Sequence, residues 1–281
     1  MKKFTFALLL LYSFLLLNGQ APFPKKDEIK QFTESKTCVV LEDESYSPYN
    51  SFIKKAVEAY WKITPYEFIN VEEFNKRRIN PAYSFIVLTQ TDFEKDKSNS
   101  LFNFINLLQG KNVTKLGEMP EICAIPLSFA EEEDIEYSYK LGGILSFMQK
   151  HAQMISDDPS LTGRKYLKYY NKNIPEIRGK VILIKQEDLV PEISTIEAIE
   201  AIYSDKVEIV SEDEIYAAIE KKAPNTLVLH KVGPVGDVNS GFCFKMLIGT
   251  DDSDMYYYHQ HIISKTNPNG FLPADLKRIA R

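Results

Sequence analysis

Between Cys38 and the carboxyl terminus the apolar residues change period in a fixed order, and that order is written twice. In the first copy Cys38 to Leu41 is a short strand-like run. Phe52, Ile53, Ala56, Val57, Tyr60 and Trp61 then recur at helical spacing, with charged residues on the opposite face and Pro65 beyond. Tyr66 to Ile69 reads as a strand, Asn70 as the cap of a helix over Val71 to Ile79 with Glu73 three residues on, and Phe85 to Leu88 as a third strand. Two more strands, Leu101 to Leu108 and Ile122 to Leu127, flank the Gly110 to Gly117 stretch, and an apolar stripe from Leu141 to Ile155 closes the copy as a helix.

The second copy has the same punctuation. Val181 to Ile184, a helix from Thr195 to Tyr203, Val207 to Val210, a helix opened by Ser211 with Glu214 three residues on, and Leu227 to His230 repeat the alternation. Phe242 to Ile248 and Met255 to Ile263 form a hairpin across Asp251, Asp252 and Ser253, and Pro273 with Asp275 opens a final helix. Placing Glu67 on Glu208 also places Glu73 on Glu214, Ala82 on Ala223 and Val87 on Val228. A strand, helix, strand unit forces a parallel pair, whereas short loops force antiparallel ones. The expected fold is therefore α/β (α+β): two similar modules, each a mixed sheet of about five strands in the order strand, helix, strand, helix, strand, strand, strand, helix. The modules span residues 29–155 and 179–281, with a linker over 156–178.

Residues 1–21 stand apart. Lys2 and Lys3 precede an apolar run from Phe4 to Leu17, and small residues follow at Gly19 and Ala21, the pattern of a cleaved secretory signal. The run is too short to span a bilayer comfortably, and no later segment is long and apolar enough, so no integral span is expected after cleavage. The whole chain carries 34 basic and 39 acidic residues, and removing two lysines with the signal makes it more acidic. No general positive field is available for nucleic acid. Three cysteines, Cys38, Cys123 and Cys243, are too few and too embedded in apolar runs for a disulfide framework, and read as core thiols.

The element order of the second copy resembles the small α/β module of the TolB amino-terminal domain and of the periplasmic part of the curli export channel CsgG. The residues concerned are Ser211 to Ile215 opening the second helix, Asn225 to His230 as the following strand, and Phe242 to Thr250 with Asp254 to Ile263 as the closing hairpin. The resemblance implies protein contacts in envelope assemblies and no catalytic motif.

The sharpest chemical hint is histidine. His259 and His261, two apart on a strand, share a face, and His230 ends the neighbouring strand. If any ligand or metal site exists, it is expected there, with the pair facing Phe242, Phe244 and Met246. No third ligand has a recognised spacing, so the expectation is histidines that hydrogen-bond within the sheet, with neither metal nor cofactor. Asp251, Asp252 and Asp254 lack the pattern of a calcium loop, and Gly233, Gly236 and Gly241 do not open a helix as a phosphate loop would. Arg164, Lys165, Tyr166, Lys168, Tyr169, Tyr170 and Lys172 interleave charge and aromatic rings, which suits a contact surface or, preferably, a linker covering the seam between modules. The function expected is that of an exported, non-enzymatic binding or assembly protein of the bacterial cell envelope, periplasmic or envelope-associated, with an envelope protein as partner. The alternatives are a periplasmic enzyme and a small-ligand carrier using the cleft between modules.

Overall fold

In the computed structural model, residues 21–44, 46–93, 100–163, 166–235 and 240–280 are described. Most of the expected signal thus lies outside the described residues, as do Arg164, Lys165, Gly236 and the side chain of Tyr166. The chain runs α1 (Lys26–Glu34), β1 (Lys36–Val40), α2 (Pro48–Tyr60), β2 (Tyr66–Ile69), α3 (Val71–Arg77), β3 (Tyr83–Thr91), β4 (Phe102–Gln109), β5 (Glu121–Phe129), α4 (Ile135–Ser138) and α5 (Leu141–Asp157). A 3-10 stretch, Tyr166–Ile177, leads into β6 (Val181–Ile184), α6 (Ile196–Glu200), β7 (Val207–Ile209), α7 (Glu212–Glu220), β8 (Thr226–Val232), β9 (Phe242–Gly249), β10 (Met255–Ile262) and α8 (Pro273–Ile279).

The two halves have the same topology. The first sheet is ordered β2-β1-β3-β4-β5, and the second, read from its other end, is β7-β6-β8-β9-β10. In each, the first strand is parallel to its two neighbours and the last two pairings are antiparallel. Glu67 lies opposite Cys38, and Glu208 opposite Leu183, so those two glutamates occupy equivalent places. The caps match too: Asn70 accepts from the Glu73 amide and Ser211 from the Glu214 amide. On the next strand the equivalence moves by two residues. Cys38 faces Phe85 and Leu183 faces Val228, so Phe85, not Val87, corresponds to Val228. The cause is α7, which at nine residues is two longer than the seven of α3.

Helices cover the sheets in the same way in both halves. Phe74 of α3 packs on the Cys38 and Phe85 face, while α2 and α5 cover the Val39 and Ile86 face. Ile215 and Ile219 of α7 pack on the Leu183 and Val228 face, while α6 and α8 cover the Ile182 and Leu229 face. Helix α5 also belongs to the second sheet, since its cluster continues into Met246, Ile248 and Tyr258. The halves are thus stacked through a shared helix layer. Where they meet, the Phe93 ring lies 4.9 Å from that of Phe242, and Phe102 lies 5.4 Å from Phe244, so the seam is filled with aromatic side chains. Close approach is built into α5 at Gly142, where a Cβ would stand 2.5 Å from the Tyr60 ring of α2.

The linker is part of this packing. Leu167 and Tyr170 are buried, and the Tyr170 hydroxyl lies 2.7 Å from Nδ1 of His151 on α5. Asn171 acts as a piece of strand: its Nδ2 donates to the Tyr258 carbonyl at 3.0 Å and its Oδ1 accepts from the Tyr258 amide at 2.7 Å. That satisfies part of the outer edge of β10, which would otherwise present unpaired backbone groups. Tyr170, named for a contact surface as the lesser alternative to a seam-covering linker, has its ring turned inward by this docking. Lys168 is exposed, and the Lys172 ammonium lies 4.0 Å over the half-buried Tyr169 ring. No helix among the described residues is long and apolar enough to cross a membrane.

Candidate functional site

Helix α8 lies on one face of the second sheet, and the strands present a polar row to it. Lys231 of β8 pairs with Lys245 of β9, which pairs with His259 of β10, so these three side chains share that face. Lys245 is a lone cation in the otherwise apolar strand FCFKMLIG, and neither it nor Asp275 has any exposed side-chain surface. An isolated buried ammonium would cost several kcal/mol, of order 3–5 when a partner is removed, so it must be paired. The partner is Asp275, in the first turn of α8, where a carboxylate also suits the positive end of the helix.

Donors from four segments converge on that carboxylate. The Lys245 ammonium reaches Oδ2 at 2.5 Å and the Leu272 amide donates to the same oxygen at 2.9 Å. On Oδ1, the Tyr257 hydroxyl donates at 2.6 Å, Arg278 at 3.0 Å, and Nδ1 of His259 lies at 3.3 Å. Burial would raise the Asp275 carboxyl, but the bonds and charges of His259, Lys245 and Tyr257 outweigh it and hold the group well below the usual carboxylate range. The Tyr257 phenol is pushed up, first by burial and then by the Asp275 charge. The Lys245 side chain is thereby held against the Asp275 carboxylate.

The histidine pair borders this centre. His259 and His261 stack at 6.2 Å. Nε2 of His261 donates to the Pro268 carbonyl at 2.9 Å, which leaves Nδ1 as a buried acceptor without a partner, and burial with the Lys245 charge lowers the ring to about 4. The pair does not face Phe242, Phe244 and Met246 as expected; it faces Lys245 and Cys243. The reason is a bulge between Met255 and Tyr257. Continuing the Met255 to Ile248 register would set His259 opposite Phe244, but one extra residue turns every later side chain to the other face.

His230 is separated from the pair altogether. It pairs with Met246, one position off the Lys231 and Lys245 row, and so points to the opposite face of the sheet. There Nε2 donates to the Pro126 carbonyl at 2.8 Å, and burial followed by the Lys140 charge lowers the ring to about 3. Its Nδ1 is buried without a partner. With Lys140, Gly143, Ile219, Val228 and Thr250 it lines a small open pocket with room for about one water molecule. The three histidines expected to gather are therefore divided, and among the described residues no group of three or more His, Cys, Asp or Glu side chains is placed to hold a metal.

A second polar group sits where α4 meets the second sheet. Lys140 lies 5.0 Å and Lys185 5.6 Å over the ring of the buried Tyr139, and Lys185 also pairs with Glu212 and, at 3.8 Å, with Glu136. On the α8 face, Lys231 lies 3.9 Å from Asp188. The aspartates of the β9–β10 turn are likewise engaged, Asp251 by the Asn225 amide at 2.9 Å and Asp254 by Lys150 at 2.6 Å. Cys38, Cys123 and Cys243 are buried. Sequence reading passed over Lys245, Asp275, Tyr257 and Arg278. The available signal was a lysine inside an apolar strand followed by an aspartate three residues into a capped helix.

No family model, curated protein or solved structure matches the chain in comparisons with known proteins.

Proposed function

We propose that this is an exported, non-enzymatic binding or assembly protein of the cell envelope, made rigid by the fusion of two modules of one topology. The observation that carries the reading is the closed seam: Phe93, Phe102 and Phe104 pack against Phe242 and Phe244 where a carrier would need a cleft. The strongest polar centre supports the same choice, because the Asp275 oxygens are occupied by Lys245, Tyr257, Leu272 and Arg278 of the chain itself. Recognition is then left to outer surfaces and to the short outer strands β2 and β7, with a folded envelope protein as the partner.

The test is crosslinking in intact producing cells followed by isolation of the chain from separated envelope and cytoplasmic fractions. A stoichiometric complex with an envelope protein, recovered from the envelope fraction alone, is the expected result. A chain confined to the cytoplasm, or one that is recovered without partner and binds a small molecule with a saturable calorimetric signal, would overturn it.

A further inference from the structure

Ala21 to Pro24 lie against the first sheet. Ala21 is 3% exposed, and the Pro22 carbonyl accepts the Glu121 amide at 2.9 Å, so the segment meets the first residue of β5, an edge strand. The Phe23 ring lies within 3.4 Å of the place a Cβ would take on Gly163. Beside this segment is an incomplete piece of electrostatics. Glu121 is 7% exposed, and its carboxyl has neither an ion-pair nor a hydrogen-bond partner among the described residues. Burial alone raises it to about 7. Two other buried carboxylates have a cation beside them: Asp275 has Lys245, and Glu28 has Lys111 at 2.8 Å.

We infer that the chain is cut on the amino-terminal side of Ala21, and that the α-ammonium so created forms the missing ion pair of Glu121. This rests on the export reading and places the end of the leader ahead of Ala21 instead of after it, because Ala21 is a packed residue. Hydrolysis consumes one water: the peptide bond breaks, the carboxylate leaves with the leader, and the amine stays on the chain and takes up a proton. The nitrogen of Ala21 is separated by Ala21 and Pro22, about 6 Å of extended chain, from the carbonyl bonded to the Glu121 amide. The uncut chain has an uncharged peptide group at that place, so removal of the leader would itself tighten the edge of the first sheet.

The experiment isolates the chain from envelope fractions of producing cells and reads its first residue by intact mass. The mature form is then prepared with a free or an enzymatically acetylated α-amine, each with Glu121 or the Glu121→Gln substitution, and urea unfolding is measured on all four. A free terminus at Ala21 is expected, and a start at Gln20, which leaves the Ala21 nitrogen in a peptide bond, would overturn the pairing. Acetylation removes the terminal charge and is expected to cost about a hundredfold in the folding equilibrium constant with Glu121 present, and less than about threefold in Glu121→Gln. Equal effects in both backgrounds, a start at Pro22 or later, or a naturally blocked terminus would overturn the inference. A chain that keeps Met1 would overturn the export reading as well, so the two failures are distinguishable. If Glu121→Gln does not fold, titration of the α-amine by NMR decides: the pair requires a pKa above the ordinary value of about 8, and an unshifted amine refutes it.

Discussion

Replacing Asp275 by alanine removes one carboxylate and strands several donors. Lys245, fully buried, loses its counter-ion, and the Leu272 amide at the start of α8 loses its acceptor. Breaking a buried pair from one side costs about 3–5 kcal/mol and loss of a helix cap about 1 kcal/mol, so Asp275→Ala is expected to lose about 5 kcal/mol. For a chain of this size that corresponds to a fall of about 10–20 °C in Tm. Lys245→Met is expected to cost less, because Arg278, Tyr257 and Leu272 still satisfy the carboxylate and the methionine fills the apolar strand. The pH dependence provides a second check. Asp275 has a depressed carboxyl in the folded chain, so its stabilisation is complete above the unfolded value of about 3.9 and is lost as pH falls toward the folded one. The gap between wild type and Asp275→Ala should therefore be flat from pH 8 to about 5 and narrow below about 4. Urea unfolding monitored by circular dichroism measures both. A loss below about 1 kcal/mol, or a larger loss in Lys245→Met than in Asp275→Ala, would refute the reasoning.

Three other outcomes follow from the same packing. Burial and the Lys140 charge lower His230 to about 3 in the folded chain, so the unfolded state takes up a proton first as pH falls below about 6.5. Relative to wild type, His230→Gln should gain about 1.4 kcal/mol of stability for each unit between about pH 6 and 4, read from urea midpoints; parallel curves would count against a neutral buried ring. Gly142→Ala drives a methyl into the Tyr60 ring, 2.5 Å from the new Cβ, and should cost about 1–3 kcal/mol in thermal unfolding. Asn171→Ala frees both backbone groups of Tyr258 on the edge of β10 and should cost about 1–3 kcal/mol, with faster proteolytic cleavage between residues 159 and 178 as the more direct measurement.

The periodic elements were legible because period and capping are local. Tyr66–Ile69 and Val181–Ile184 appear with the bounds that the residues alone suggest, and Asn70 and Ser211 cap the helices their spacing marked. The doubled topology was legible for the same reason, since a strand, helix, strand order leaves few ways to pair. Helix α1 was passed over, and the linker, expected to cover a seam, proved to be docked as an edge of β10 through Asn171.

Facing was not legible. A single extra residue between Met255 and Tyr257 turned His259 and His261 away from Phe244 and toward Lys245, and a bulge leaves no mark in a run of tyrosines. The pairing of His230 with Met246 put that ring on the other side of the sheet, although its distance along the chain looked favourable. Lys245 and Asp275 stand 30 positions apart and meet because α8 folds back over β9, so their bond exists as a property of the packed chain. The sequence by itself determined the elements, their order and their caps, which depend on neighbours within a few residues. Tertiary structure alone decided which side chains share a face and which buried charges find partners, because both depend on register and on contacts between segments far apart in the chain.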